Sequence, residues 1–141
     1  LEIADSWSWL ATSRWVVYYT KTKGRDYMNP ILRGEIYYAT LDGMGSEQSG
    51  QRPVLVLQSD YLNLNSPTTI VAPITSVIKR SNLKSHCTLP AGRFLREKSM
   101  VLTEQVRVID RQRLDVFVGQ LAPRDMRRVE RALCYSLGVF Y

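Results

Sequence analysis

From Pro30 onward the apolar residues come in short runs of strand length, separated by polar turns rich in Gly, Asn, Ser and Asp. Glu35 to Leu41 alternates loosely and predicts a half-buried strand. Pro53-Val54-Leu55-Val56-Leu57-Gln58 is almost continuously apolar, the pattern of a strand covered on both faces. Asp60 to Asn63 predicts one helical turn, ended by Asn65-Ser66-Pro67. Thr68 to Ile74 predicts a β-branched strand that closes on Thr75-Ser76. Short strands are expected at His86–Leu89 and across Ser99 to Ile109, and Asp110 to Leu114 reads as a single turn before a strand at Val116–Leu121.

Two longer stretches carry a helical period. Pro123 suits a first helical turn, where its missing N–H costs nothing, and Met126, Val129, Leu133 and Leu137 then follow spacings of three and four. Arg124, Arg127, Arg128 and Arg131 fall on the other faces. Near the start, Asp5 suits an N-cap, and Trp7, Leu10 and Trp15 share a broad apolar side before the basic stretch Lys21–Arg25 with its Gly24 stop signal. Residues 1–29 therefore read as a helical N-terminal extension whose tryptophans need burial, on the domain or on a second subunit. Residues 30–141 read as one domain, mainly β with helices (α+β): a small, strongly curved β-barrel closed by the C-terminal helix.

Charge sharpens this picture. The net charge of the 141 residues is +6, and it is unevenly placed. Up to Ile70 there are 6 basic and 7 acidic residues, and from Val71 onward 13 basic and 6 acidic. Such asymmetry points to a polyanionic partner. No apolar run is long enough to span a bilayer and no secretory signal is evident, so a cytoplasmic location is expected. Cys87 and Cys134 form no CxxC pair, and His86, the single histidine, neighbours Cys87 on a strand whose successive side chains face opposite ways. No metal site follows, and both thiols are expected to be free and buried.

The candidate chemistry lies between the first two strands. Gly43, Gly45 and Gly50 flank a polar loop, and Arg52 locks onto Pro53 at the mouth of the apolar strand. Glycines let a loop approach a ligand closely, and arginine offers a permanently charged fork suited to phosphate. With one histidine per chain, a ribonuclease using two histidines of one subunit as base and acid is impossible. Glu35, Asp42, Glu47 and Asp60 are scattered, with no recognisable two-metal motif.

Several motifs in this order resemble one family. Arg33-Gly34-Glu35-Ile36-Tyr37, Gly45-Ser46-Glu47-Gln48, Arg52-Pro53-Val54, Gln58-Ser59-Asp60, Ser66-Pro67-Thr68 and Ile74-Thr75-Ser76 are similar to the MazF/PemK toxins of bacterial toxin–antitoxin pairs. Leu102-Thr103-Glu104-Gln105-Val106-Arg107-Val108-Ile109-Asp110 and Ala132-Leu133 with Ser136-Leu137 carry the resemblance from Leu32 to Val139. Ser49 stands where typical members have Gly. The resemblance implies an SH3-like or CcdB-like barrel and a metal-independent, cofactor-free endoribonuclease that cuts single-stranded RNA at short sequences. The RNA's own 2′-OH would attack the adjacent phosphate. By the same analogy Arg52 binds the scissile phosphate, Thr75 hydrogen-bonds a phosphoryl oxygen, and Glu47 either takes the 2′-OH proton or reads a base. Ser46, Gln48, Gln58 and Gln105 are candidate RNA-binding residues, because amides and hydroxyls pair with exposed base edges. The implied partners are messenger RNA, a second copy in a homodimer, and an antitoxin whose acidic tail fills the basic groove. Two rivals remain: a gyrase-poisoning toxin on the same barrel, against which the Glu47, Arg52 and Thr75 set argues because such a poison needs no phosphate site, and a non-catalytic RNA-binding barrel.

Overall fold

A computed structural model describes residues 30–92 and 94–139. The expected N-terminal helix, residues 1–29, lies outside the described residues. Seven strands, β1 (Glu35–Leu41), β2 (Gly50–Val56), β3 (Thr68–Thr75), β4 (His86–Leu89), β5 (Ser99–Leu102), β6 (Arg107–Asp110) and β7 (Leu114–Gln120), form one antiparallel sheet. Its order is β4-β5-β3-β2-β1-β7, with β6 also paired to β3. The sheet is strongly curved and stays open. Register irregularities around Tyr37, where β1 meets β7, add to the curvature.

Both faces of the central strands are covered, as the apolar run at Pro53–Gln58 predicts. Ile36, Leu55, Ala72 and Ile74 face one way and pack with Cys87, Leu89 and Val101 and with Met126, Val129 and Ala132 of the C-terminal helix α2 (Pro123–Leu137). Tyr37, Ala39, Val54, Val56 and Val71 face the other way, where Ile109 and Leu114 of the curling sheet cover them. Alternate side chains of β1, β2 and β3 thus feed two separate cores. α2 starts on Pro123 and ends at Gly138, whose φ of 68° closes the last turn.

Three expectations need correction. Ser99 to Ile109 is not one strand: a 3-10 turn, Thr103–Gln105, breaks it into β5 and β6. Thr103 is fully buried there, its hydroxyl donating to Ser85 O at 2.6 Å and meeting Ser136 Oγ at 2.7 Å. The break is a tertiary event that apolar spacing does not carry. The buried stripe of α2 runs Met126, Val129, Ala132, while Leu133 is half-buried and Leu137 is exposed. A period of 3.6 residues carries Leu137 off the stripe where no layer lies beneath it. Cys87 is buried, as expected, but Cys134 is only half-buried.

A short helix, α1 (Asp60–Asn65), follows β2, capped by the Ser59 hydroxyl, which accepts from Leu62 N. It seats a buried polar cluster. Gln58 Nε2 donates to Asn63 Oδ1 at 3.0 Å and to Thr68 O at 2.9 Å. Asn63 Nδ2 donates to Gln58 O at 3.0 Å, and Thr69 Oγ1 donates to Asn63 Oδ1 at 2.8 Å. The cluster fixes where β2 ends and β3 begins, and so how the two strands align at their other ends.

Candidate active site

β2 and β3 pair antiparallel with Val54 opposite Pro73, Leu55 opposite Ala72 and Val56 opposite Val71. One two-residue step beyond the Val54–Pro73 pair brings Arg52 level with Thr75, and cross-strand partners share a face. At this point the ladder splits. β3 has turned to pair with β5, Thr75 opposite Met100, while Arg52 pairs with Ala39 of β1. Arg52 and Thr75 therefore sit where the two strands part. Both line a groove of about 780 Å³ whose walls include Tyr38, Ser76, Arg96, Glu97 and Phe117.

Arg52 is half-buried, and its Nε donates to Ser49 O at 2.6 Å. That bond fixes the plane of the guanidinium. Its two terminal nitrogens make no hydrogen bond among the described residues and remain available to an anion. Thr75 is 6% exposed, and its Oγ1 accepts from Val77 N at 3.1 Å. With a backbone N–H occupying the acceptor side, the hydroxyl proton is left to donate into the groove. A fixed cation and an oriented hydroxyl on one wall make a donor set suited to a phosphoryl group.

The other expected residues divide. The loop between β1 and β2 carries Ser46, Glu47 and Gln48. Glu47 is exposed and its Oε2 accepts from Met44 N at 2.8 Å, so it shapes the loop, and it is not among the residues lining the Arg52–Thr75 groove. Ser46 is exposed, and its carbonyl accepts from Gln105 Nε2 at 3.3 Å. Gln48 N donates to Gln105 Oε1 at 2.7 Å. The Gln105 amide is thus engaged at both ends by loop backbone. Gln58 departs most from expectation: it is 7% exposed and its Nε2 donates twice inside the α1 cluster, to Asn63 Oδ1 and Thr68 O. Its polar character looked the same in sequence whether it faced RNA or a neighbouring carbonyl. Sequence reasoning missed Tyr38 and Arg96 as groove residues. Tyr38 carried a signal: in β1 it occupies the solvent-facing register between buried Tyr37 and Ala39. Among the described residues no group of three His, Cys, Asp or Glu side chains is placed to hold a metal ion, and no helix is long and apolar enough to cross a membrane.

A family model of PemK-like, MazF-like toxins of type II toxin–antitoxin systems matches residues 32–137. The chain belongs to the PemK/MazF toxin family. Its relatives agree with the fold described above. Endoribonuclease EndoA of Bacillus subtilis is 44% identical over 111 residues, which cover 77% of this chain and 96% of EndoA. The MazF crystal structure from Deinococcus radiodurans is 27% identical with a TM-score of 0.67, covering 77% of this chain and 97% of its own. An endoribonuclease in complex with its cognate antitoxin, from mycobacterial species, shares the fold at 19% identity and a TM-score of 0.63, over 81% of this chain and 99% of that one. The family match starts at residue 32, so residues 1–29 of this PemK/MazF toxin fall outside it.

Proposed function

We propose that this PemK/MazF toxin is an endoribonuclease that cleaves single-stranded messenger RNA at short sequences, with Arg52 and Thr75 at the scissile phosphate. The observation that carries this reading is the meeting, in one groove at the β2–β3 fork, of a plane-fixed arginine and a hydroxyl that already accepts from a backbone N–H. The RNA 2′-OH attacks its own 3′-phosphate. The 2′-O–P bond forms, the P–O5′ bond breaks, the 2′-OH gives up its proton, and the leaving 5′ oxygen takes one up. Arg52 and Thr75 hold the phosphoryl oxygens in line for this displacement and offset the charge that builds on the phosphorane. Arginine stays protonated far above neutral pH, so its role is electrostatic rather than that of an efficient acid. In this reading Glu47 and Ser46 meet flanking bases; their exposure on the loop before β2 supports it.

A cognate antitoxin is the expected inhibitor, as the toxin–antitoxin character of the family implies. An acidic tail folding onto the arginine-bearing groove fits the charge excess after residue 71. A homodimer and action in the cytoplasm, where messenger RNA is translated, complete the proposal. The deciding experiment incubates the purified protein with a long RNA in EDTA and maps the new ends. Cleavage to 5′-OH and 2′,3′-cyclic phosphate ends is expected. Cutting that requires added magnesium overturns the metal-independent route. A gel shift without cutting points instead to a non-catalytic RNA-binding barrel.

A further inference from the structure

The loop between β1 and β2 is held from outside by two side chains, and both holds converge on one residue, Gln48. Gln105 Oε1 takes the N–H of Gln48 at 2.7 Å, and Arg107 Nη2 donates to the carbonyl of Gln48 at 3.0 Å. The same two side chains reach further along the loop, Gln105 Nε2 to Ser46 O at 3.3 Å and Arg107 Nη1 to Asp42 O at 2.8 Å. Gln48 is thus gripped at both its N–H and its C=O. The next residue, Ser49, supplies the carbonyl that anchors Arg52 Nε at 2.6 Å. The path from clamp to guanidinium is one residue of backbone.

The loop does not hold this shape for its own sake. Gly43 is folded so tightly against it that an added Cβ would come within 2.9 Å of Gln48 O. The arrangement also buries Gln48 Oε1 with no hydrogen-bond partner among the described residues, which opposes it. External bonds from the segment leading into β6 offset that cost. Both donors stand on or beside a strand locked to β3, with Arg107 paired to Val71. β3 also carries Thr75, so the clamp refers the loop to the strand that bears the other half of the site.

We propose that Gln105 and Arg107 are positioning residues for Arg52: they clamp Gln48 so that Ser49 O holds the guanidinium toward the groove shared with Thr75. This rests on the reading of Arg52 as the phosphate-binding residue. Gln105 then acts on the reaction through loop backbone, with no contact of its own to a base.

The test uses the full chain and a fluorophore–quencher RNA oligonucleotide carrying a site mapped from a cut long RNA. Arg107→Gln and Gln105→Ala are expected to lower kcat by roughly tenfold, with KM within about twofold, because a misplaced catalytic group costs turnover more than binding. Arg107→Lys, which reaches one carbonyl rather than two, should recover part of the loss. On an Arg52→Ala background, Arg107→Gln should cost nothing further, since a positioning effect vanishes with the group positioned. Arg107 could instead be an RNA-phosphate contact. In that case KM rises, kcat holds, and the log–log salt slope of RNA binding falls by about 0.7, which overturns the proposal. Full additivity with Arg52→Ala overturns it too. A folded Arg52→Ala protein with ordinary turnover overturns instead the reading of the site beneath it. Gln105→Ala removes a half-buried surface amide and carries the same test if Arg107→Gln does not fold.

Discussion

Arg52 and Thr75 make different demands on their side-chain atoms, and conservative substitutions separate them. Lysine at position 52 keeps the charge but loses the Nε–Ser49 O anchor and the planar fork. Arg52→Lys should therefore lose turnover by about tenfold or more, with Arg52→Ala near a hundredfold, the scale of one oxyanion-type donor. Thr75→Val keeps the shape and removes the hydroxyl, with a similar loss expected, whereas Thr75→Ser should retain most activity. Single-turnover cleavage rates check all four. A second residue-scale expectation concerns pH. Burial pushes the Tyr37 phenol well above the usual tyrosine value, an effect Arg111 partly offsets, and its hydroxyl donates to buried Glu35 Oε2. A group raised on folding favours the folded state below its unfolded value and loses that contribution as pH rises toward its folded value. Stability should thus fall as pH climbs above about 10, the ordinary tyrosine value, and this alkaline slope should flatten in Tyr37→Phe. Denaturant titrations at stepped pH show it. Of these residues, Arg52 and Thr75 are singled out in the sequence by motifs that resemble a family, and the structure sets both along one groove; the burial of Gln58 is not legible, because an amide's type does not reveal which way it faces.

Among the elements, β2 and β3 were the easiest to foresee. A near-continuous apolar run such as Pro53–Gln58 has few alternatives to a doubly covered strand, and Val54, Leu55 and Val56 are all at 0% exposure. The β5–β6 break falls on the polar triplet Thr103-Glu104-Gln105, which the β-rich residues on either side mask in the sequence. What interrupts the strand there is Thr103 bonding to Ser85 and Ser136, residues far away in sequence. α1 was visible as a turn, but not as the seat of a polar cluster that joins β2 to β3. Asn63 takes part in three side-chain hydrogen bonds there, so Asn63→Ala should cost about 2–4 kcal/mol, the range for breaking a buried network. Because that cluster sets the alignment of β2 against β3, the surviving folded protein should also cleave more slowly. Thermal unfolding and a rate measurement well below the melting temperature separate the two effects.

At the scale of the whole molecule, the positive charge lies mostly after residue 71, and the groove draws Arg96 from that half beside Arg52 from the other. Grip on a single strand by several cations releases condensed ions. The logarithm of the RNA affinity should fall with the logarithm of salt at about 0.7 per phosphate held, so a slope steeper than about −2 is expected for three or more contacts. Fluorescence anisotropy with a labelled RNA whose 2′-OH at the cleaved position is replaced by 2′-deoxy, so that no cut can occur, measures it. A slope near zero would mean that the charge excess serves something other than RNA. The groove has one more property at this scale. Its described lining contains no cysteine, histidine or methionine, and Cys87 lies buried in the core with its thiol pushed up by burial. Within that described lining, oxidants and thiol reagents find no residue of the kinds they usually modify. If the proposed antitoxin tail is what fills this groove, restraint of the toxin there lasts only as long as the covering molecule does.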